Sequence, residues 1–346
     1  MSFEVTLMPS KKRFTVSAGK SILTAGHDAG IAMPYSCRAG ACRTCRGRVL
    51  QGQVDHGHVH PRYLSEEERE QGYALLCQAQ PLSDLVLEAQ ELDLMGSVRR
   101  RVTPGRVMEI RRVAPDVITL RIKLPMNEDL IFLAGQYVEF LLANNERRAY
   151  SIASAPSIEG TVSLELHVRH TPGGLFTDHV FNSLKVHDLV RLEVPLGTFF
   201  LREESGKPIV FLASGTGFAP IKSMLQHAAQ KKLDRPMTLY WGGRTRADLY
   251  DLAWVQGYAE ANPGFTFVPV LSDASPVCNW TGRTGFVHLA VMDDIGDLSG
   301  HQVYACGAPV VIDAAKRDFA EQRGLLMAEF FADSFLDAAD KARARV

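Results

Sequence analysis

Three cysteines fall within nine positions of the segment SCRAGACRTCRGRV, residues 36–49. They follow the spacing C-x4-C-x2-C, and a fourth cysteine comes 31 residues later in ALLCQAQPL. Six cysteines in 346 residues are too few for a disulfide scaffold. Clustered thiols in such a chain are more typical of a metal site or a catalytic site. The clustered residues are Cys37, Cys42, Cys45 and Cys77.

This three-plus-one spacing is that of plant-type [2Fe–2S] proteins. Three ligands on one tight loop wrap a compact core, and Gly40 lets backbone N–H groups approach the sulfides. Zinc is the alternative, but zinc sites usually pair C-x2-C knuckles or mix Cys with His. The spacing therefore favours a [2Fe–2S] cluster held by all four thiols. Cys278 and Cys306 lie outside the pattern.

Polar residues around the cysteines leave two questions open. Three alternating histidines in DHGHVH, residues 55–60, could ligate a metal, although alternation on an exposed loop is more typical of polar surface. Four arginines either form a positive rim for an acidic electron acceptor or solvate the loop and face the rest of the chain. These arginines are Arg38, Arg43, Arg46 and Arg48.

The order of predicted elements indicates a multi-domain α+β and α/β chain. Residues 1–92 form a small β-rich unit, and the resemblance of its cysteine spacing to plant-type [2Fe–2S] proteins implies a β-grasp ferredoxin domain. Residues 93–102 read as a linker. Residues 103–204 contain short strands separated by turn residues, which predicts an antiparallel β-barrel. Residues 205–346 alternate apolar strands with helices, which predicts a doubly wound parallel sheet.

Composition excludes several classes of protein. The net charge of −1 gives no global surface for polyanions, so no nucleic-acid partner is expected. No apolar run approaches about 18 residues, and the N-terminus lacks the apolar core of a signal peptide. We expect a cytoplasmic monomer that does not bind membranes.

The stretch RRAYSIASAP resembles the R-x-Y-S flavin motif of the ferredoxin–NADP reductase superfamily. The resemblance implies that Arg148 binds the flavin pyrophosphate, Tyr150 packs on the isoalloxazine ring and Ser151 hydrogen-bonds to N5. A guanidinium fork suits phosphate, and an aromatic face suits a flat ring. The alternative is a buried strand with a stray arginine.

Two further segments resemble flavin-binding parts of this superfamily. HVRHTPGGLFTDHV places Gly173, Gly174 and Thr177 at the start of a predicted helix, where amides and the helix dipole suit phosphate. Val168 lies on the preceding strand, which in the family lines the flavin through its backbone. The C-terminal FFADSF resembles the family's flavin-shielding strand, or else it is an apolar strand edge. That likeness places Phe335 over the ring and Asp333 near it.

The third predicted domain carries two motifs that suggest a nicotinamide site. SGTGFAP contains Gly215, Thr216 and Gly217 and resembles the family's G-T-G-x-x-P loop, a weak signal alone but one that follows a strand and opens a helix. YACGAP resembles the family's Cys-Gly beside the nicotinamide, here Cys306 and Gly307. An ordinary buried cysteine is the alternative.

Residues near two strand ends bear on the choice of nucleotide. WGGRTRADLY resembles the segment that meets the adenosine half, through Arg244. In PVLSDASP, Asp273 would repel a 2′-phosphate and could accept a hydrogen bond from a free ribose hydroxyl. We therefore expect NADH rather than NADPH, although Arg244 could supply a positive charge to a phosphate.

The order of the motifs resembles the reductase components of bacterial multicomponent oxygenases, and at least as closely the CDP-6-deoxy-3,4-glucoseen reductases that serve a deoxysugar dehydrase. The resemblance implies FAD rather than FMN, and catalytic roles for Ser151, Cys306 and Phe335. Electrons would pass from NADH to FAD, to the cluster and to an external oxygenase component, or alternatively to a dehydrase. A cysteine-stapled binding module on a degenerate flavoprotein is disfavoured because the motifs are intact.

Overall fold

The computed structural model describes residues 1–92, 98, 100–125, 130–143, 146–157, 160–275 and 278–335. These residues belong to two compact units, one formed by the chain up to residue 97 and from residue 333 onward, the other by residues 98–332. Most of the predicted linker, residues 93–102, lies outside the described residues, as do residues 336–346. No helix in the described residues is long and apolar enough to span a membrane.

The first unit is built on a five-stranded mixed sheet with the order β2-β1-β7-β3-β5. Its elements are β1 (Ser2–Met8), β2 (Lys12–Ser17), α1 (Ile22–Asp28), β3 (Arg46–Gln51), β4 (Val54–Asp55), α2 (Glu66–Glu70), β5 (Tyr73–Leu75), β6 (Gln80–Pro81) and β7 (Leu85–Glu88). Alternate residues such as Val5, Leu7 and Val16 are fully buried, as half-buried strands require. Ser21 caps α1 by accepting the Thr24 N–H at 3.3 Å.

The second unit begins with a six-stranded antiparallel sheet in the order β11-β10-β13-β8-β9-β12. Its elements are β8 (Arg101–Ala114), β9 (Val117–Lys123), β10 (Tyr137–Leu141), β11 (Arg147–Ser151), β12 (Ser163–Arg169), α3 (Leu175–Asn182) and β13 (Leu189–Leu196). An antiparallel bridge between Ile152 and Leu166 joins the end of β11 to β12, so the sheet curls toward a closed barrel. We call this part the barrel.

The same unit continues into a second six-stranded sheet in the order β17-β16-β15-β14-β18-β19. Its elements are β14 (Ile209–Ser214), α4 (Phe218–Lys231), β15 (Met237–Gly243), α5 (Leu252–Ala261), β16 (Phe265–Leu271), β17 (Arg283–Thr284), α6 (Val287–Asp294), β18 (Gln302–Gly307), α7 (Pro309–Arg323) and β19 (Phe330–Ser334). The pairs β14/β15, β14/β18 and β15/β16 are parallel. Their carboxyl ends therefore share one edge, where ligands of such sheets bind.

Candidate functional site

The four predicted cluster ligands come together in the first unit. Three lie on the loop that precedes β3, and Cys77 follows β5. The thiols form two hydrogen-bonded pairs, Cys37 with Cys42 and Cys45 with Cys77. A [2Fe–2S] core with four cysteine ligands takes two thiolates at each iron. The observed pairing therefore suits a two-iron group.

Two of the four thiols are already biased toward the thiolate. The hydrogen bond from Cys37 lowers the pKa of Cys42 to about 5, and that from Cys45 lowers the pKa of Cys77 despite burial. The backbone N–H of Ala39 also points at the Cys37 sulfur, at 3.4 Å. Metal ligation requires deprotonated thiols, so this donor set fits the cluster.

Gly40 is required twice in the cysteine loop. Its φ of +75° lies in the left-handed region, and an added Cβ would meet the Gln78 Cγ at 3.0 Å and a Val59 methyl at 3.2 Å. Its backbone N–H donates to the Cys77 sulfur. The glycine thus allows the loop to close against the segment that carries the fourth thiol.

The arginines of the loop have partners within their own unit. Arg43 and Arg46 both pair with Glu68 of α2, Arg46 at 2.9 Å. Arg46 and Arg48 lie over the Tyr73 ring, 4.4 and 5.8 Å from its centroid. Part of their charge is therefore used to hold α2 and β5 beside the loop.

The C-terminal segment contributes a buried carboxyl to the first unit. Ser36 lies one residue before Cys37, the first cysteine ligand. Its hydroxyl donates to Asp333 Oδ1 at 2.6 Å. Burial raises the pKa of Asp333 to about 6, against the effect of the Ser36 hydrogen bond. Asp333 thus lies beside the cysteine loop. The half-buried Phe335 follows it, and its placement over a flavin stays a prediction.

In the barrel, the R-x-Y-S strand presents an aromatic wall. Tyr150 packs edge-on against Phe140, with ring centroids 5.7 Å apart, and against Phe176 at 5.3 Å. Arg148 shares the face of Tyr150 because it lies two residues away in β11, and the buried Ser151 lies on the opposite face. An aromatic ring and a guanidinium on one face of the strand suit a ring linked to phosphate.

A cavity of about 910 Å³ adjoins this wall. Phe140 and Phe176 line its apolar side, and Glu146 and His179 line its polar side. Arg148, paired with Glu146, stands next to the lining. The volume is in the range of small-molecule and cofactor pockets, so the barrel has room for part of a dinucleotide.

The start of α3 has the form of a phosphate site. Gly174 occupies the N-cap without a side-chain cap, so N–H groups of the first turn remain available. Thr177 donates to Thr171 O at 2.9 Å and accepts from Thr171 N, which ties the helix to the loop that follows β12. Val168, fully buried in β12, leads into this loop.

The glycine loop and the Cys-Gly turn touch at the carboxyl edge of the parallel sheet. Residues Gly215–Gly217 form a single 3₁₀ turn between β14 and α4, and Trp241 Nε1 donates to Gly215 O at 3.0 Å. A Cβ on Gly217 would run into the carbonyl group of the fully buried Cys306 and lie 2.7 Å from Gly307 N. The structure thus joins two motifs that are far apart in sequence.

Arg169 is a candidate site residue that the sequence reasoning did not single out. It pairs with Asp248 at 2.7 Å and with Asp116 at 3.0 Å. Its Nε and second terminal nitrogen are buried without a hydrogen-bond partner among the described residues, and the guanidinium lies beside Gly215. Buried donors normally have partners, so a ligand with hydrogen-bond acceptors fits here. In the sequence, a basic residue directly after Val168 is the feature that could have identified Arg169.

The two residues that bear on nucleotide choice lie at adjacent strand ends. The Asp273 N–H donates to Arg244 O at 2.9 Å, and the Ser272 N–H donates to Gly243 O at 2.9 Å. Both Arg244 and Asp273 are exposed. Arg244 and Asp273 are therefore backbone neighbours at adjacent strand ends, and the preference for NADH stays a prediction.

Comparison with known proteins gives a family match for each of the three parts of the chain. Residues 5–82 match the 2Fe-2S iron-sulfur cluster binding domain, residues 104–201 the oxidoreductase FAD-binding domain and residues 211–317 the oxidoreductase NAD-binding domain. A CDP-6-deoxy-L-threo-D-glycero-4-hexulose-3-dehydrase reductase of Yersinia pseudotuberculosis is 40% identical, covering 97% of this chain and 99% of its own. The chain belongs to the ferredoxin–NADP reductase superfamily. This superfamily member is an oxidoreductase that uses a [2Fe–2S] cluster, FAD and a nicotinamide nucleotide.

Other relatives of this reductase serve different partners. The reductase component DmpP of phenol 2-monooxygenase from Pseudomonas sp. strain CF600 is 36% identical over 99% of this chain and 97% of its own. The crystal structure of the Amycolatopsis cytochrome P450 reductase GcoB is 36% identical, covers 97% of this chain and 99% of its own, and has a TM-score of 0.78. The predicted three-part fold is therefore confirmed.

Proposed function

We propose that this reductase takes a hydride from NADH and delivers the electrons singly to a separate protein, an oxygenase component. The observation that supports this proposal most is that one chain carries the two thiol pairs, the R-x-Y-S strand and the glycine loop. When bound, FAD accepts two electrons and releases them one at a time, and a plant-type cluster carries one at a time at low potential.

We assign the chain's own residues to three tasks. The two thiol pairs hold the cluster, and Gly40 gives backbone access to it. Tyr150 and the start of α3 orient the flavin ring and bind its phosphates. The glycine loop, the Cys-Gly turn and Arg169 hold the nicotinamide nucleotide and place its reactive ring. Cys306 of this turn is fully buried.

A deoxysugar dehydrase is the second candidate acceptor. The Yersinia dehydrase reductase is 40% identical to this chain and DmpP is 36% identical, each over nearly the whole length. Neither acceptor's substrate touches this chain, so the residues described above serve both functions equally.

The test starts with the purified, cofactor-loaded protein under anaerobic conditions. NADH is expected to bleach the flavin absorbance and then reduce the cluster, and cytochrome c is expected to accept single electrons. Purified oxygenase and dehydrase components are then offered separately, and turnover identifies the acceptor. A flavin that NADH reduces without subsequent cluster reduction contradicts the proposed path.

The arginine rim supplies a second test of acceptor docking. If Arg46 and Arg48 meet acidic groups of the acceptor, reversing both charges slows acceptor reduction in a salt-dependent way and leaves flavin reduction unchanged. Reversal of Arg13, which is exposed and pairs with Glu4 at 3.3 Å, is the control for reversing an exposed arginine outside the cysteine loop. An unchanged rate at low salt means that these arginines serve only the loop.

A further inference from the structure

A buried ammonium lies where α4 meets the barrel. The side chain of Lys222 is only 5% exposed, and its Nζ donates to Glu165 Oε1 at 2.9 Å and to Asp251 Oδ2 at 2.7 Å. It also lies 4.9 Å from the centroid of the Trp254 ring. Burying a charge is unfavourable unless it is paired. Two carboxylates from separate segments meet this requirement, so Lys222 binds those segments together.

The carboxylate from the barrel belongs to a directed chain of hydrogen bonds. Burial would raise the pKa of Glu165, but the hydrogen bond from His167 and the charge of Lys222 lower it to about 2. Burial lowers the pKa of His167 and so favours its neutral form. Its Nε2–H donates to Glu165 at 2.8 Å, and its Nδ1 accepts from the Tyr250 hydroxyl at 2.8 Å. The carboxylate is thus held from two sides.

Further contacts fasten the same face of α4 to the barrel. Phe218, one turn before Lys222, lies on that face with its ring centroid 6.4 Å from that of His167. The Ser223 hydroxyl donates to Ser154 O at 2.8 Å, and the Ala155 N–H donates to Gln226 at 3.0 Å. Lys222 joins this face through charge–charge contacts to both neighbouring segments.

Lys222 joins α4 to β12, and each of these two elements is continuous with a segment that we assign to a cofactor. Strand β12 runs from Glu165 into Val168 and Arg169, and α4 starts directly after Gly217. Hydride transfer requires the reacting atoms to lie about 3–3.5 Å apart, and a shift of about 1 Å costs on the order of 100-fold in rate. The position of α4 on β12 therefore bears on this separation.

We propose that Lys222 is a positioning residue for hydride transfer from NADH to FAD, acting through Glu165 and Asp251 to hold α4 on β12. In this step NADH loses a hydride, which carries two electrons, and becomes NAD⁺, while FAD accepts the hydride. The inference rests on the proposed function, since it requires that NADH reduces the flavin in this chain.

The test compares three variants of the full, FAD-loaded protein by stopped-flow flavin reduction, NAD⁺ binding and hydrogen exchange. In Lys222→Met we expect the limiting rate of flavin reduction to fall about ten-fold or more. The NAD⁺ dissociation constant should change less than about three-fold, because Lys222 is not one of the residues of the glycine loop. Amide exchange should accelerate in residues 163–169 and 218–231.

A second variant allows for the unpaired carboxylates that Lys222→Met leaves buried. The triple change Lys222→Met, Glu165→Gln, Asp251→Asn removes all three charges, and we expect the same slow limiting rate. Lys207→Met is the matched control, because Lys207 pairs at 2.6 Å with Glu329, which directly precedes β19. Its limiting rate should equal that of the unmodified protein.

Several outcomes overturn the proposal. The first is that the triple variant keeps the limiting rate of the unmodified protein. The second is that amide exchange stays unchanged in residues 163–169 and 218–231. The third is that Lys222→Met and the triple variant both lose FAD. If NADH fails to reduce the unmodified protein, the proposed function itself is wrong, and this result is distinct from all of those.

Discussion

Replacing Gly217 by alanine tests whether the glycine loop holds the nicotinamide. The new Cβ meets backbone atoms of Cys306 and Gly307, which no rotamer change can move away. The loop and the turn have to separate by about 1 Å before the nearest contact reaches 3.0 Å, below which real Cβ contacts essentially never occur. The φ of Gly217 is −58°, which alanine adopts readily, so the expected effect comes from steric overlap alone.

A shift of about 1 Å at a reacting centre lowers the rate on the order of 100-fold. We therefore expect kcat/KM for NADH to fall by about that factor in Gly217→Ala. The absorbance of FAD and of the cluster should be retained, because neither the barrel strands nor the cysteine loop are touched. The assay is anaerobic flavin reduction at several NADH concentrations, with cytochrome c reduction as a second readout.

Gly257→Ala is the matched control. Gly257 lies inside α5, and a Cβ there meets no atom within 4 Å. We expect unchanged kcat/KM and a gain in stability of about 0.5–1 kcal/mol from the better helix former. An FAD-loaded Gly217→Ala protein with unmodified kcat/KM would refute the placement of the nicotinamide at this loop.

Three more predictions concern the other sites. Cys77→Ser should lose the cluster and retain FAD, measured by iron content and visible absorbance; survival of the cluster contradicts the ligand assignment. Asp273→Arg should shift the kcat/KM ratio toward NADPH on the order of ten-fold, and equal use of both nucleotides by the unmodified protein contradicts the role of Asp273. Burial lowers the pKa of His167, so thermal stability should fall as the pH drops below the ordinary value of 6.5, where the unfolded chain takes up a proton. His167→Gln should lose less stability over the same pH range, and an identical pH profile contradicts the argument.

Local patterns in the sequence were sufficient for much of the fold. The turn residues between the short strands of residues 103–204 and the alternation of apolar strands with helices after residue 205 act over a few positions, and they predicted the two six-stranded sheets correctly. The spacing of the first three cysteines also reflects one short loop. Strands, turns and caps depend on neighbours within a few positions, and a single sequence carries that information directly.

Tertiary structure decided which distant groups meet. The sequence named Gly217 and Cys306 separately, but only the parallel pairing of β14 with β18 places their backbones in contact. Likewise Ser36 and Asp333, 297 residues apart, share a hydrogen bond that no local pattern predicts. The partners of Lys222 come from a strand and a loop of different parts of the unit. Burial, strand order and hydrogen-bond satisfaction over the whole chain select such partners, because each buried charge must find its counterpart wherever the fold brings one close.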